Sequence, residues 1–159
     1  MDQPTPSLDQ SAALTLILRD KATGKRLLSL EGVAISDART GWFATACLDL
    51  FLKGKHDIEV FLFGAGHVVK ETILALDAST LTGIKRVAVP SRGGKSNISP
   101  VEKLALQVRL TFETVDDRQL FSKADYEITA TNSGVPVFEA DEITPSAVTL
   151  SLDIDDMPP

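Results

Sequence analysis

The run Phe63-Gly64-Ala65-Gly66-His67-Val68 carries the spacing most suggestive of chemistry. A strand that ends in G-x-G and passes into a helix can lay a phosphate against the helix N-terminus, where free N–H groups and the helix dipole favour an anion. The third glycine of a full G-x-G-x-x-G pattern falls on Val69, and no acid marks the end of a second strand. Thr72 and Ile73 weaken a helix over 68–76, so a β turn at Gly64–His67 is the preferred expectation. Arg92-Gly93-Gly94-Lys95-Ser96 resembles the end of a phosphate-binding loop, but that motif needs glycine at 89, where Val89 stands. It reads instead as a solvated basic loop suited to an acidic surface. Cys47, His56 and His67 are the only thiol and imidazoles. A Cys/His pair needs an activated thiolate, and Cys47, between Ala46 and Leu48, reads as a buried, inert one. Asp153, Asp155 and Asp156 could gather round a hard cation. No glycine-turned loop holds them, so a solvated acidic tail is expected. No catalytic residue, cofactor or metal ligand is expected.

The elements that would position these residues read as strands. Leu14, Leu16 and Leu18 alternate with Thr15, Ile17 and Arg19, and Asp20-Lys21-Ala22-Thr23-Gly24 turns the chain. Further strands are expected at Leu27–Leu30, Val33–Ile35, Trp42–Thr45, Leu48–Leu52 and Ile58–Phe63. Thr72–Leu76 continues the pattern, and Leu104, Leu106, Val108, Leu110 and Phe112 alternate most clearly of all. Tyr126–Ile128, Val135–Phe138 (an edge strand, because of Pro136) and Val148–Ile154 complete the set. Short strands at regular spacing indicate an all-β antiparallel sandwich of transthyretin-like or immunoglobulin-like kind. The organisation expected is a flexible arm at 1–11, a β module at 12–89 and a Gly/Ser/Pro-rich linker or long loop at 90–100. A second module, or a continuation of the same sandwich, follows at 101–154, with a tail at 155–159. The two modules echo each other: Leu27-Leu28-Ser29 answers Leu120-Phe121-Ser122, and Val33-Ala34-Ile35-Ser36 answers Tyr126-Glu127-Ile128-Thr129.

The chain has 159 residues, enough for one ordinary domain or two small ones. Its net charge of −6 argues against nucleic-acid binding by simple electrostatics. The charge is uneven: −2 over 1–80, +4 over 81–100 and −8 over 101–159. No apolar run approaches the roughly 18 residues that span a bilayer. The start, Met1-Asp2-Gln3-Pro4, lacks the basic and apolar regions of a secretory signal, so the chain as written is expected in the cytoplasm, or exported only within a larger assembly.

Residues 14–76 resemble the carboxypeptidase regulatory-like, or transthyretin-like, β-sandwich module. The likeness is carried by a leucine strand ending in Asp20, then Thr23-Gly24, a strand from Gly32-Val33, and Lys53-Gly54-Lys55-His56 before Ile58-Glu59-Val60. Gly66-His67 leading into Val68–Leu76 comes last, and residues 105–154 resemble the class more faintly. The resemblance implies a scaffold or binding module without catalysis. The expected function is therefore a non-enzymatic structural or adaptor protein, joining protein partners or its own copies, with no nucleic acid or membrane. Trp42, Phe61 and Phe63 are its candidate apolar anchors, and Lys85, Arg86, Arg92 and Lys95 its candidate basic contacts. The alternatives are a carbohydrate-binding module, or an enzyme or nucleotide binder that uses the Gly64–His67 turn.

Overall fold

The computed structural model describes residues 14–64, 66–79, 83–90, 102–104, 107–115, 118–131, 133–153 and 156–158. They fall into two compact units, Met1–Asp37 and Ala38–Pro159. In the first, β1 (Thr15–Arg19) and β2 (Arg26–Glu31) form an antiparallel hairpin. The turn between them is tied by Asp20, whose carboxylate accepts from the Ala22 N–H at 3.1 Å and from the Thr23 N–H and hydroxyl at 2.7 Å. Gly24 takes the positive φ of 69° that closes it. The register puts Leu16 opposite Leu30 and Leu18 opposite Leu28, so one face is a plate of leucines, and all of them are exposed. Beyond β2 the Glu31 side chain accepts the Val33 N–H at 2.7 Å and opens helix α1 (Val33–Phe51).

The second unit is built on five parallel strands: β3 (Ile58–Phe63), β4 (Ile84–Pro90), β5 (Phe112–Val115), β6 (Tyr126–Thr129) and β7 (Val148–Ser151). Their order across the sheet is β5-β4-β3-β6-β7. Helix α2 (His67–Ala78) connects β3 to β4, and short 3-10 turns lie at Glu102–Leu104, Arg118–Lys123 and Ala140–Glu142. Strands buried on both faces read as continuous apolar runs, and β3 (IEVFLF) is such a run. Ile58, Val60 and Leu62 face one way, into a core with Ala44, Leu48 and Leu52 of α1 and its end and Val69, Ile73 and Leu76 of α2. Phe61 and Phe63 face the other way, against Phe121 and Phe138, with ring centroids 4.9–5.6 Å apart.

The two helices meet closely at Gly41. A methyl group there would stand 2.6–2.8 Å from the backbone of Glu71 and Thr72, so only glycine permits the crossing. Tyr126 reaches across from β6, its hydroxyl donating to the Ala44 carbonyl at 2.9 Å. Asp77 near the end of α2 accepts the Arg109 and Leu110 N–H groups at 2.8 and 3.1 Å. That contact holds the segment before β5 out of any strand.

The antiparallel all-β sandwich is therefore not what the chain forms. The hairpin and the strands at Ile58–Phe63, Tyr126–Ile128 and Val148 onward exist, but the last three are parallel and share one sheet. Strands from both sides of 90–100 join that sheet, so the echo between modules is not a duplication: Val33–Ser36 is helical where Tyr126–Thr129 is a strand. The region of Val33, Trp42 and Leu48 is the single helix α1, and Thr72–Leu76 lies within α2. In α1 the buried positions are Gly41, Ala44, Thr45 and Leu48, spaced as one helical face but made mostly of small residues, while Leu50 in the apparent strand alternation is exposed. The most regular alternation, Leu104 to Phe112, forms a 3-10 turn at Glu102–Leu104 and enters a strand only at Phe112. The expected edge strand at Val135–Phe138 is irregular, with Phe138 buried among the rings. The arm at 1–11 and most of 90–100 lie outside the described residues.

Phe121 is fully buried and packs on Phe61 and Phe63 on one face of the sheet. Phe121→Ala is expected to lower stability by about 3–5 kcal/mol. Thermal unfolding followed by circular dichroism checks this; an unchanged melting temperature would show that the ring cluster is not part of the folded core.

Candidate functional site

In an open parallel sheet, ligands bind outside the carboxyl ends of the strands where the strand order reverses. Here that point lies between β3 and β6, since the chain proceeds from β3 outward through β4 and β5 and then returns to β6 on β3's other side. The residues at those two ends are Gly64 and Gly66 after β3, and Ala130, Thr131 and Ser133 after β6. The two segments are stitched together by the Ala130 N–H donating to the Phe63 carbonyl at 2.9 Å.

Gly64 has φ 116°, and a Cβ there would stand 2.3 Å from the Ala130 carbonyl oxygen. Conformation and clearance both demand glycine. Gly66 is the N-cap of α2 with ordinary extended geometry (φ −84°, ψ −171°), and a Cβ there would meet nothing within 4 Å. Glycine brings no side chain to cap the 12-residue helix, so its first N–H groups have no side-chain cap there. Val69 occupies the third glycine position and is buried, its methyl 3.2 Å from where a Gly64 Cβ would be. The helix forms despite Thr72 because Val69, Thr72, Ile73 and Leu76 bury one face, and the buried Thr72 hydroxyl is satisfied by donating back to the Val68 carbonyl at 2.8 Å.

The structure scatters the residues singled out in the sequence. Phe61 and Phe63 lie in the core, whereas Trp42 is 51% exposed on α1. Lys85 and Arg86 engage Glu59 at 2.9 and 2.7 Å, and Arg86 also pairs with Glu113 at 2.7 Å. Lys55 pairs with Asp125 at 2.7 Å, and Asp125 accepts the Glu59 N–H at 2.9 Å. Burial works against both carboxylates, but these partners outweigh it and hold Glu59 and Asp125 below their ordinary pKa values. Arg92 and Lys95 lie outside the described residues. Cys47 is half-buried in α1, His56 is exposed before β3, and His67 is exposed at the start of α2. Among the described residues no group of His, Cys, Asp and Glu is placed to hold a metal, and no helix is long and apolar enough to cross a membrane. Asp156 is not a solvated tail residue: it is 1% exposed and hydrogen-bonded to the segment after β6.

Five parallel strands in this order, with a G-x-G sequence between the first of them, β3, and its helix, define a Rossmann-like α/β fold. No family model matches the chain, and no curated protein does. Solved structures do. The chain is similar to Δ1-pyrroline-2-carboxylate reductase of Thermococcus litoralis, solved with NADH and L-proline, at 25% identity and TM-score 0.68, over 86% of this chain and 42% of that one. It is similar to a probable ornithine cyclodeaminase from Bordetella pertussis at 19% identity and TM-score 0.68, over 86% and 42%. It is also similar to an archaeal alanine dehydrogenase dimer with bound NAD, at 19% identity and TM-score 0.68, over 84% and 40%. The chain thus spans about two fifths of the length of each. These likenesses overturn the transthyretin-like resemblance, and with it the non-enzymatic adaptor role that resemblance implied: all three neighbours are enzymes and α/β proteins.

Sequence reasoning missed one titratable group. Glu127 sits mid-strand in β6, fully buried, with Oε2 accepting from the Thr149 hydroxyl at 2.9 Å and Oε1 without a partner. Burial pushes its carboxyl up from 4.5 to about 7, the Thr149 hydrogen bond offsetting only part of that. Below pH 4.5 the carboxyl is protonated folded and unfolded alike. As pH rises toward 7 the unfolded chain releases its proton while the folded one retains it, so stability falls, by on the order of 3 kcal/mol in total. Glu59 and Asp125, with lowered pKa values, act in the opposite sense, losing their contribution as pH falls. Glu127→Gln removes only the Glu127 effect. Its stability relative to the unaltered chain should rise steadily between pH 4.5 and 7 in urea unfolding, and a constant difference across that range would exclude the mechanism.

Proposed function

We propose that the chain is the dinucleotide-binding part of a nicotinamide-dependent oxidoreductase acting on a small amino or imino acid. The observation that supports this best is the glycine turn: Gly64 is forced by the Ala130 carbonyl, and Gly66 leaves open space before the first N–H groups of α2. A pyrophosphate needs such a cradle, with backbone close by, no side chain intervening and donors pointing outward. The nicotinamide group, when bound, supplies hydride transfer. Gly64, Gly66 and the first turn of α2 would hold the dinucleotide's pyrophosphate, and the segment after β6 would line the crevice. The substrate class comes from the neighbours solved with L-proline or named for ornithine and alanine.

The sequence favours the 2′-phosphorylated form of the dinucleotide. A carboxylate at the end of the second strand normally takes the ribose hydroxyls, whereas an arginine nearby accommodates a 2′-phosphate. β4 ends in Pro90, no acid occurs between Asp77 and Glu102, and Arg92 and Lys95 follow β4 in sequence.

Two measurements test the reading. Calorimetric titration is expected to show NADPH binding more tightly than NADH, with Arg92→Ala removing the preference; equal affinities would remove the phosphate argument. Gly66→Val places a side chain where nothing stands within 4 Å, in a conformation any residue adopts. It should lower the melting temperature by no more than a few degrees, since valine caps a helix less well than glycine, and weaken dinucleotide binding at least tenfold, roughly the loss of one or two good hydrogen bonds. Wild-type affinity in Gly66→Val would move the site elsewhere.

A further inference from the structure

Asp156 belongs to the last acidic run of the chain, yet it is 1% exposed. Its carboxylate accepts from the Thr131 N–H at 2.9 Å, from the Thr131 hydroxyl and, more loosely, from the Ser133 hydroxyl at 3.4 Å. Its carbonyl accepts the Val137 N–H at 3.0 Å. One residue from beyond β7 thus grips three positions of the segment that leaves β6. Ser133, Gly134 and Val135 are exposed, and Gly134 takes a φ of 66°. Within the segment the Ser133 N–H donates to the Thr131 hydroxyl oxygen at 3.2 Å and the Ser133 hydroxyl to the Val135 carbonyl, while Phe138 anchors its far end among the buried rings; the Asp156 carboxylate is what ties its start to the chain beyond β7. The segment's first residue is Ala130, whose carbonyl faces Gly64 across the crevice. A carboxylate suits this position because it offers acceptor sites only, enough for several converging N–H and O–H donors.

We propose that Asp156 is a positioning residue of the dinucleotide site: by holding Thr131 and Ser133 it fixes the crevice wall opposite the Gly64 turn. It acts through that segment and is not itself a catalytic residue. The inference rests on the reading of the crevice as the dinucleotide site.

The test is calorimetric titration of the full chain with NADPH and NADH, using Asp156→Ala, Asp156→Asn, Thr131→Val and the Asp156→Ala/Thr131→Val double variant. Asp156→Ala and Thr131→Val should each weaken binding about tenfold, as expected for loss of a hydrogen bond to a charged group that shapes the site. The double variant should bind no worse than Asp156→Ala, because both changes open one clasp. Asp156→Asn, which keeps one acceptor, should recover part of the affinity. Amide exchange in Asp156→Ala should accelerate at Thr131 and Ser133 and stay unchanged in the β1–β2 hairpin. Should Asp156→Ala not fold, Asp156→Asn and Thr131→Val carry the comparison. Wild-type affinity in folded variants, with only the melting temperature lowered, overturns the positioning role and leaves the dinucleotide reading standing. An unaltered chain that binds neither dinucleotide overturns both.

Discussion

The second unit depends on how closely β3 and β6 approach each other at their carboxyl ends. The Ala130 N–H donates to the Phe63 carbonyl, and the Ala130 carbonyl then stands where any side chain at 64 would have to be. Only glycine, at φ 116°, lets the chain leave β3 under that carbonyl and rise into α2. Once α2 starts there, Val69, Ile73 and Leu76 fall onto the sheet, and Gly41 lets α1 cross against Glu71 and Thr72. The turn that shapes the candidate site is the same turn that sets the packing of the helices. A substitution at Gly64 would strike fold and site together, whereas Gly66, where an added Cβ would meet nothing within 4 Å, separates the two.

The legible part of the fold lay in its local geometry. The β1–β2 hairpin announces itself through leucine alternation and the Asp20–Gly24 turn, both of which operate within about ten residues. The strand β3 is equally visible, and its double apolar character correctly implies cover on both faces. What misled was period. In α1 the buried stripe is Gly41, Ala44, Thr45 and Leu48, residues too small to stand out, while the exposed Trp42, Phe43 and Leu50 draw attention to the wrong spacing. Residues Leu104 to Phe112 alternate well, but Asp77, some thirty residues away in sequence, captures the Arg109 and Leu110 N–H groups that a strand would need. Such long-range contacts leave no trace in a local pattern. Once two helices are read as strands, a parallel sheet loses its crossovers and can only look antiparallel.

The site was half legible for the same reason. Gly64 and Gly66 stand out in the sequence, and three features weigh against them: a valine at the third position, a weak helix and no acid at the end of a second strand. Tertiary packing answers the first two: Val69 is buried against the turn, and Val69, Thr72, Ile73 and Leu76 bury one face of α2. The Asp156 clasp left no signal, since an Asp-rich stretch near Pro158 reads as solvated unless its partners, Thr131 and Ser133, are known. Glu127 was hidden likewise, as a single acid in a strand that otherwise reads as apolar and aromatic.

Net charge deserves the same scrutiny as period. A chain at −6 looks hostile to an anionic ligand, yet what a phosphate meets is the local field. The acids Glu59, Glu113 and Asp125 are paired with Lys85, Arg86 and Lys55 and so largely neutralised. The carboxyl group of Glu127, with its pKa raised to about 7, carries only part of a charge at neutral pH. The carboxylate of Asp156 is surrounded by donors from Thr131 and Ser133 rather than turned outward. With Lys85 and Arg86 engaged by Glu59, the surplus of +4 over 81–100 reduces to Arg92 and Lys95, the two cations that follow β4 in sequence. At the carboxyl end of β3 the described feature that favours an anion is the N-terminus of α2, which has no side-chain cap and presents the positive end of the helix dipole.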